Sequence, residues 1–88
     1  MIVEEVHRRD FDTEKADEMA LALLYLTSFQ ERHCPLRAWK GMDWDTMNRL
    51  HEKGLISDPK SKAKSVCLTD EGAKLSRALF EKHLSRKS

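Results

Sequence analysis

The sequence has no long hydrophobic run. Its longest apolar stretch, residues 19–26, is eight residues long, whereas a helix needs about 20 apolar residues to cross a bilayer. We also expect no secretory signal, because Glu4 and Glu5 lie where a signal peptide has a basic start and an apolar stretch. Two cysteines, Cys34 and Cys67, are too few for a disulfide scaffold. We therefore expect a cytoplasmic protein with free thiols and no membrane contact.

Charge of one sign is also missing. Sixteen Lys and Arg residues against 15 Asp and Glu residues give a formal net charge of +1. Dedicated nucleic-acid-binding domains usually have a stronger basic excess, so only a local basic patch would fit that function. With 40% hydrophobic and 35% charged residues, the composition is typical of a globular chain. Eighty-eight residues suit one domain.

Signals of catalysis and metal binding are absent. Three glycines exclude a glycine-rich phosphate loop. Adjacent acids such as Asp70 and Glu71 have diverging side chains, and a chain this short leaves little depth for a ligand pocket. The histidines and cysteines show no metal-ligand spacing; they are His7, His33, His51, His83, Cys34 and Cys67. We expect no enzymatic activity, no cofactor, no metal and no small-molecule substrate.

The first helix is predicted over residues 13–32, with Thr13 as its N-cap and Pro35 as the stop signal. Acids in its first turn suit the helix dipole. Its apolar residues cover more than one face, which predicts a central position in the fold. They are Ala16, Met19, Ala20, Leu21, Leu23, Leu24, Tyr25, Leu26 and Phe29.

A second, shorter helix is predicted over residues 43–53. Asp43 caps its start, and Gly54 ends it in the left-handed conformation, with Leu55 returning to Leu50 as in a Schellman motif. The inward side chains are predicted to be Trp44, Met47 and Leu50. The outward ones are predicted to be Asp45, Asn48, Arg49, Glu52 and Lys53.

A third helix is predicted over residues 70–84, capped by Thr69. Gly72 is unfavourable inside a helix, and close approach of another backbone would explain it. The residues expected to face the core are Leu75, Ala78 and Leu79.

A β-hairpin is predicted over residues 55–69, between the second and third helices. Two short β-prone runs, 55–56 and 65–68, flank a turn that starts at Asp58 and Pro59. In the preceding connector, residues 33–42, Trp39 is a candidate for a short third strand against this hairpin. The predicted fold is α+β and mostly α: a winged-helix-like three-helix domain with a β-hairpin wing before the last helix.

The domain is predicted to span residues 12–84. Residues 1–11 are predicted to be a lead-in segment, either flexible or paired with another subunit. Residues 85–88 are predicted to be a frayed tail.

The sequence of the second half resembles that of bacterial winged-helix domains. In those domains a helix ends in Gly-Leu-Ile, a wing follows, and Leu-Thr-x-x-Gly begins the next helix. The matching residues are Gly54-Leu55-Ile56 and the run VCLTDEG at 66–72. The winged helix usually has two helices between the first helix and the wing. Here the connector and one helix take that place, so the helix at 43–53 would correspond to the recognition helix. This departure weakens the expectation of base reading.

The strings AWKGMDWD (38–45), LHEKGLISDP (50–59) and SKAKSV (61–66) are similar to the DUF6429 family of small bacterial proteins. The resemblance covers roughly residues 13–84. Residues 1–11 extend beyond the usual start, and the stretch 28–36 departs from the family pattern. The family has no established activity, so the resemblance implies a fold but no site.

Two functions remain open, and the first is nucleic-acid binding in a transcription-regulatory role. The wing lysines Lys60, Lys62 and Lys64 either contact phosphates or form a solvated edge that discourages strand pairing. Asn48, Arg49 and Lys53 are the candidates on the second helix, although acids on that helix would repel phosphate.

The alternative is a protein-interaction or homodimerisation module, because the first helix has more apolar surface than three short elements would cover. Trp39 and Trp44 would either bind a base or a partner, or fill the core. We expect both in the core.

Overall fold

The computed structural model describes residues 11–32 and 34–86. Most of the predicted lead-in, the final two residues of the predicted tail, and the candidate ligands His7 and His33 lie outside these described residues. The elements are α1 (Thr13–Leu26), β1 (Phe29–Glu31), β2 (Cys34–Trp39), α2 (Trp44–Glu52), β3 (Ser65–Leu68) and α3 (Asp70–His83).

Three helices and a three-stranded antiparallel sheet make up the described residues, in the strand order β1-β2-β3. The fold is therefore α+β, helix-rich and compatible with a winged-helix-like arrangement, as predicted. The predicted third strand is confirmed, because Trp39 pairs with Ser65 and β2 runs antiparallel to β3. The first strand of the predicted hairpin is reduced to a single bridge between Ile56 and Leu68, on the other edge of β3.

The first helix is shorter than predicted: it ends at Leu26, and residues 29–31 form β1. The hydroxyls of Thr27 and Ser28 donate to the carbonyls of Leu23 and Tyr25, at 3.3 and 2.8 Å. These side chains bond to the last turn of the helix, where they compete with helical backbone hydrogen bonds. The N-cap is Asp12 rather than Thr13; its carboxylate accepts the Lys15 N–H at 3.1 Å.

The ends of the other two helices form as the local sequence predicts. Asp43 and Thr69 cap α2 and α3. Gly54 has a φ of 77°, and the Leu55 N–H donates to the Leu50 carbonyl at 3.0 Å, which is the Schellman hydrogen bond.

The core lies between the helices and the inner face of the sheet. Its large, fully buried apolar side chains come from α1, α2, the Ile56 bridge and β3; they are Leu21, Leu24, Met47, Leu50, Ile56, Val66 and Leu68. From α3, Leu79 is also buried. The predicted close approach at Gly72 is confirmed, because a Cβ there would clash with the Leu55 carbonyl.

Several side chains predicted to be in the core lie on the surface instead. Trp44 is 60% exposed, because α2 buries Thr46, Met47 and Leu50, and Trp44 lies about a third of a turn from the centre of that face. Leu75 is 42% exposed and Ala78 is also exposed, since α3 turns its small residues Gly72 and Ser76 inward together with Leu79. Trp39 is 57% exposed, on the outer side of the sheet.

Candidate nucleic-acid interface

The six residues predicted to contact nucleic acid fall into two groups. Lys60, Lys62 and Lys64 are exposed in the loop 57–64, between the Ile56 bridge and β3. From here on, "the wing" means this loop, residues 57–64, rather than the whole predicted hairpin. Asn48, Arg49 and Lys53 lie on or directly after α2. Asn48 and Arg49, both predicted to point outward, are half-buried.

Arg49 and Lys53 bond to a buried carboxylate on α1. Asp17 is only 3% exposed. It accepts the Arg49 Nε–H at 2.9 Å and the Lys53 ammonium at 2.7 Å. The bond to Asp17 raises the pKa of Lys53, and a further bond to Glu14 at 3.2 Å adds to this rise. Both cations are thus neutralised by α1 and are poorly placed to hold a phosphate.

The remaining surface of α2 is rich in acids. Thr46 donates from its hydroxyl to the Asp43 carboxylate at 2.7 Å and from its backbone N–H at 3.1 Å, and these hydrogen bonds lower the pKa of Asp43. Asp45 and Glu52 are exposed on the same helix. The helix that corresponds to the recognition helix therefore offers little positive charge to DNA.

The wing, in contrast, is anchored at several points while its lysine side chains stay in solvent. The Asp58 carboxylate accepts the Lys60 N–H at 2.9 Å, and Pro59 is buried. Lys40, directly after β2, donates its ammonium to the Ser61 carbonyl at 2.8 Å and its backbone N–H to the Lys64 carbonyl at 3.1 Å. Lys40 is therefore a further cation beside the wing, and it was not among the residues predicted from the sequence to contact nucleic acid.

The outer face of the sheet adjoins the wing. Along β2, Ala38 is buried and Leu36 packs against the core, so the alternation of a strand turns Arg37 and Trp39 outward. The Trp39 and Phe29 rings lie 5.3 Å apart between centroids, and Arg37 donates from Nε to the Ser65 hydroxyl at 2.7 Å.

The alternation of Leu36 and Ala38 with Arg37 and Trp39 could have predicted this face from the sequence. It was missed because residues 29–32 were predicted to be helical. We call Phe29, Arg37 and Trp39 the outer sheet face.

Positive charge is concentrated on the sheet and the wing. Residues 29–40 and 57–68 contain six Lys and Arg residues against two acids, whereas the whole chain has a net charge of only +1. The cations are Arg32, Arg37, Lys40, Lys60, Lys62 and Lys64. These two segments therefore have a net positive charge, whereas the chain as a whole is nearly neutral.

The two cysteines lie beside the same arginine. Arg37 Nη1 donates to Cys34 Sγ at 3.6 Å, and Arg37 is the strand partner of Cys67. Burial raises the pKa of the Cys67 thiol to about 11, with a contribution from the hydrogen bond between the two thiols. Cys67 is therefore protonated at neutral pH and is a poor nucleophile.

We predict that Cys67 in the folded protein reacts with iodoacetamide at pH 8 about tenfold more slowly than in urea. A pKa that rises from 9.0 to about 11 lowers the thiolate fraction about a hundredfold, and the greater nucleophilicity of the more basic thiolate recovers about tenfold. Because the folded thiol keeps its proton to a higher pH than the unfolded thiol, stability should fall as the pH rises from about 9 through about 11. Mass spectrometry of the alkylated Cys67 peptide measures this residue separately from Cys34; equal alkylation rates in native buffer and urea would contradict the prediction.

Residues 11–32 and 34–86 contain no group of three or more His, Cys, Asp or Glu side chains that is placed to hold a metal ion. Within those same ranges, the structure has no helix with the length and apolar character that a membrane crossing requires.

Comparisons with known proteins identify the family of the chain. The family model described as "Domain of unknown function (DUF6429)" matches residues 12–86. The chain belongs to the DUF6429 family. An uncharacterised DUF6429 relative, protein y4hR of Sinorhizobium fredii (strain NBRC 101917 / NGR234), is similar to it. The two are 52% identical over 77 residues, which cover 88% of this chain and 99% of the relative. No solved structure matches this DUF6429 chain significantly.

Proposed function

We propose that this DUF6429 protein binds nucleic acid through the wing, with Lys60, Lys62 and Lys64 contacting phosphates. The observation that supports this is the exposure of three lysines on a loop that β2 anchors through Lys40. Because the loop is already anchored, less conformational entropy is lost when its lysines bind phosphates together.

Sequence-specific reading of duplex DNA has weaker support. Arg49 and Lys53 are engaged by Asp17, which leaves Asn48 as the remaining candidate for a base contact from α2. Binding should therefore depend mainly on phosphate contacts, and such contacts respond strongly to salt and weakly to sequence.

Fluorescence anisotropy with a labelled 20-base-pair duplex tests the proposal at 50 and 200 mM salt. Three phosphate contacts predict a slope of about −2.7 for log K against log salt, so the affinity should fall about 40-fold between these concentrations. The triple variant Lys60→Gln, Lys62→Gln, Lys64→Gln should bind weakly at 50 mM salt and show a nearly flat salt dependence.

A matched control removes three exposed lysines from the helices: Lys15→Gln, Lys74→Gln, Lys82→Gln. Both triple variants lower the net charge equally. If they weaken binding to the same extent, the wing is not the site. If the wild-type protein binds neither duplex nor single-stranded DNA at 50 mM salt, the proposal is wrong.

A second candidate is self-association or docking of another protein through α1. Leu23 and Leu26 are exposed and three residues apart, so they lie on one side of the helix. A cavity of about 200 Å³ opens between α1 and α3. It is lined by the apolar side chains of Leu21, Leu75 and Leu79 and by acids near the start of α1.

Light scattering coupled to size-exclusion chromatography tests self-association. Leu26→Asp should convert a dimer to a monomer, and a wild-type protein that is monomeric at all concentrations would contradict self-association.

A further inference from the structure

The outer sheet face exposes an aromatic surface that the packing of the core does not require. Trp39 is 57% exposed, and its indole lies beside the Phe29 ring with an interplanar angle of 38°. The inward neighbours Leu36 and Ala38 already supply the contacts of β2 with the core. Phe29 is half-buried, so Trp39 supplies most of the exposed aromatic surface. Large exposed aromatic side chains are typical of surfaces that bind a partner.

Cations lie close to this aromatic pair, next to the end of β2 and the start of β3. Lys40 follows Trp39 directly, and Lys64 precedes its strand partner Ser65. The backbone bond from Lys40 to Lys64 brings the two lysines side by side at the end of the sheet. Arg37 lies on the outer face itself, in register with Phe29. The charge of this surface is complementary to a polyanion and unfavourable for a basic partner.

We infer that Phe29 and Trp39 form a stacking platform for unpaired bases, and that the protein binds single-stranded nucleic acid through the outer sheet face together with the wing. Bases of any identity stack on aromatic rings, and nearby cations then follow the sugar-phosphate backbone. The inference rests on the proposed phosphate contacts of the wing and adds the chemical class of the strand that is bound.

A duplex would not use this platform. The faces of paired bases are covered by their neighbours in the stack, and the grooves of a duplex present only the edges of the bases. The wing lysines reach the phosphates of either form. Loss of Trp39 should therefore weaken the binding of single strands and leave the binding of duplexes unchanged, which separates base stacking from general charge attraction.

The experiment compares Trp39→Ala with Trp44→Ala, using labelled oligo(dT) of 12 nucleotides and a 20-base-pair duplex in 50 mM salt. Both tryptophans are more than half exposed, but Trp44 lies at the start of α2. Trp39→Ala should weaken oligo(dT) binding about 5- to 100-fold and duplex binding less than twofold. Trp44→Ala should change neither, and Trp39→Tyr should recover most of the lost affinity. Thermal unfolding of each variant shows whether the fold is retained.

A second readout monitors the indole directly. In a Trp44→Phe background Trp39 is the sole tryptophan, and its fluorescence should be quenched as oligo(dT) binds. If oligo(dT) binds while Trp39 fluorescence and the affinity of Trp39→Ala are unchanged, base stacking is wrong and the wing proposal stands. If Trp39→Ala instead dissociates a dimer, the outer sheet face is an interface between copies. Absence of any DNA binding overturns both proposals.

Discussion

Replacing Gly72 with alanine is expected to lower the free energy of unfolding by about 3 kcal/mol. Helix propensity alone predicts the opposite, a gain of about 1 kcal/mol for Gly→Ala inside a helix. The added Cβ, however, would overlap the backbone carbonyl of Leu55, and a backbone atom yields far less easily than the end of a side chain. Overpacking of this kind costs about 1–3 kcal/mol, and we expect the upper end. Urea unfolding followed by circular dichroism measures the change.

Gly41→Ala is the matched control for this substitution. A Cβ at Gly41 meets nothing within 4 Å, and Gly41, unlike Gly54, does not have a positive φ. Gly41→Ala should leave stability unchanged or raise it by up to about 1 kcal/mol, because alanine restricts the unfolded chain. A Gly72→Ala protein as stable as Gly41→Ala would show that α3 can move away from Leu55 at little cost.

Replacing Asp17 with asparagine is expected to cost about 2 kcal/mol. Its buried carboxylate holds Arg49 and Lys53, and these contacts join α1 to α2. Hydrogen bonds to charged groups contribute about 1.5–3 kcal/mol, and breaking a fully buried ion pair costs about 3–5 kcal/mol. The side chains of Arg49 and Lys53 are 27% and 35% exposed, so solvent screening places the expected value below the latter range.

Asp45→Asn provides the comparison, because Asp45 is an exposed acid on α2; its replacement should change stability by less than about 0.5 kcal/mol. A double-mutant cycle between Asp17→Asn and Arg49→Gln should give a coupling energy of about 1 kcal/mol or more. If Asp17→Asn is as stable as Asp45→Asn, the three side chains do not fix the position of α2.

The parts of the fold that depend on a few neighbouring residues were predictable. Asp43, Gly54 and Leu55 define both ends of α2 through hydrogen bonds within a few positions of the chain, and Thr69 does the same for the start of α3. The end of α1 was not predictable from apolar spacing. Phe29 continues the helical pattern of the sequence, yet it pairs with Arg37 in a strand, because a sheet partner eight positions away outweighs the weak helix preference of Thr27 and Ser28.

In the candidate site, too, the features set by neighbouring residues were predictable and those set by distant partners were not. The lysines of the wing were recognisable from their alternation between small residues, and they are exposed in the structure. Arg49 and Lys53 were chosen from the same sequence, but their partner Asp17 is 32 and 36 positions away. Trp39 was expected in the core and lies outside it, since the face that β2 presents depends on its register with β3.

By itself, the sequence determined the caps of α2 and α3, the left-handed turn at Gly54 and the β-structure before α3, because each follows from local stereochemistry. It also indicated a close backbone approach at Gly72, but the approaching residue, Leu55, is 17 positions away in the chain. Only the tertiary structure decided which cations are neutralised and which aromatic residues face solvent. Those outcomes depend on contacts between segments far apart in the chain, such as Asp17 with Arg49 and Trp39 with Ser65. Hydrophobic periodicity reports on a single helix or strand and does not identify its tertiary partners.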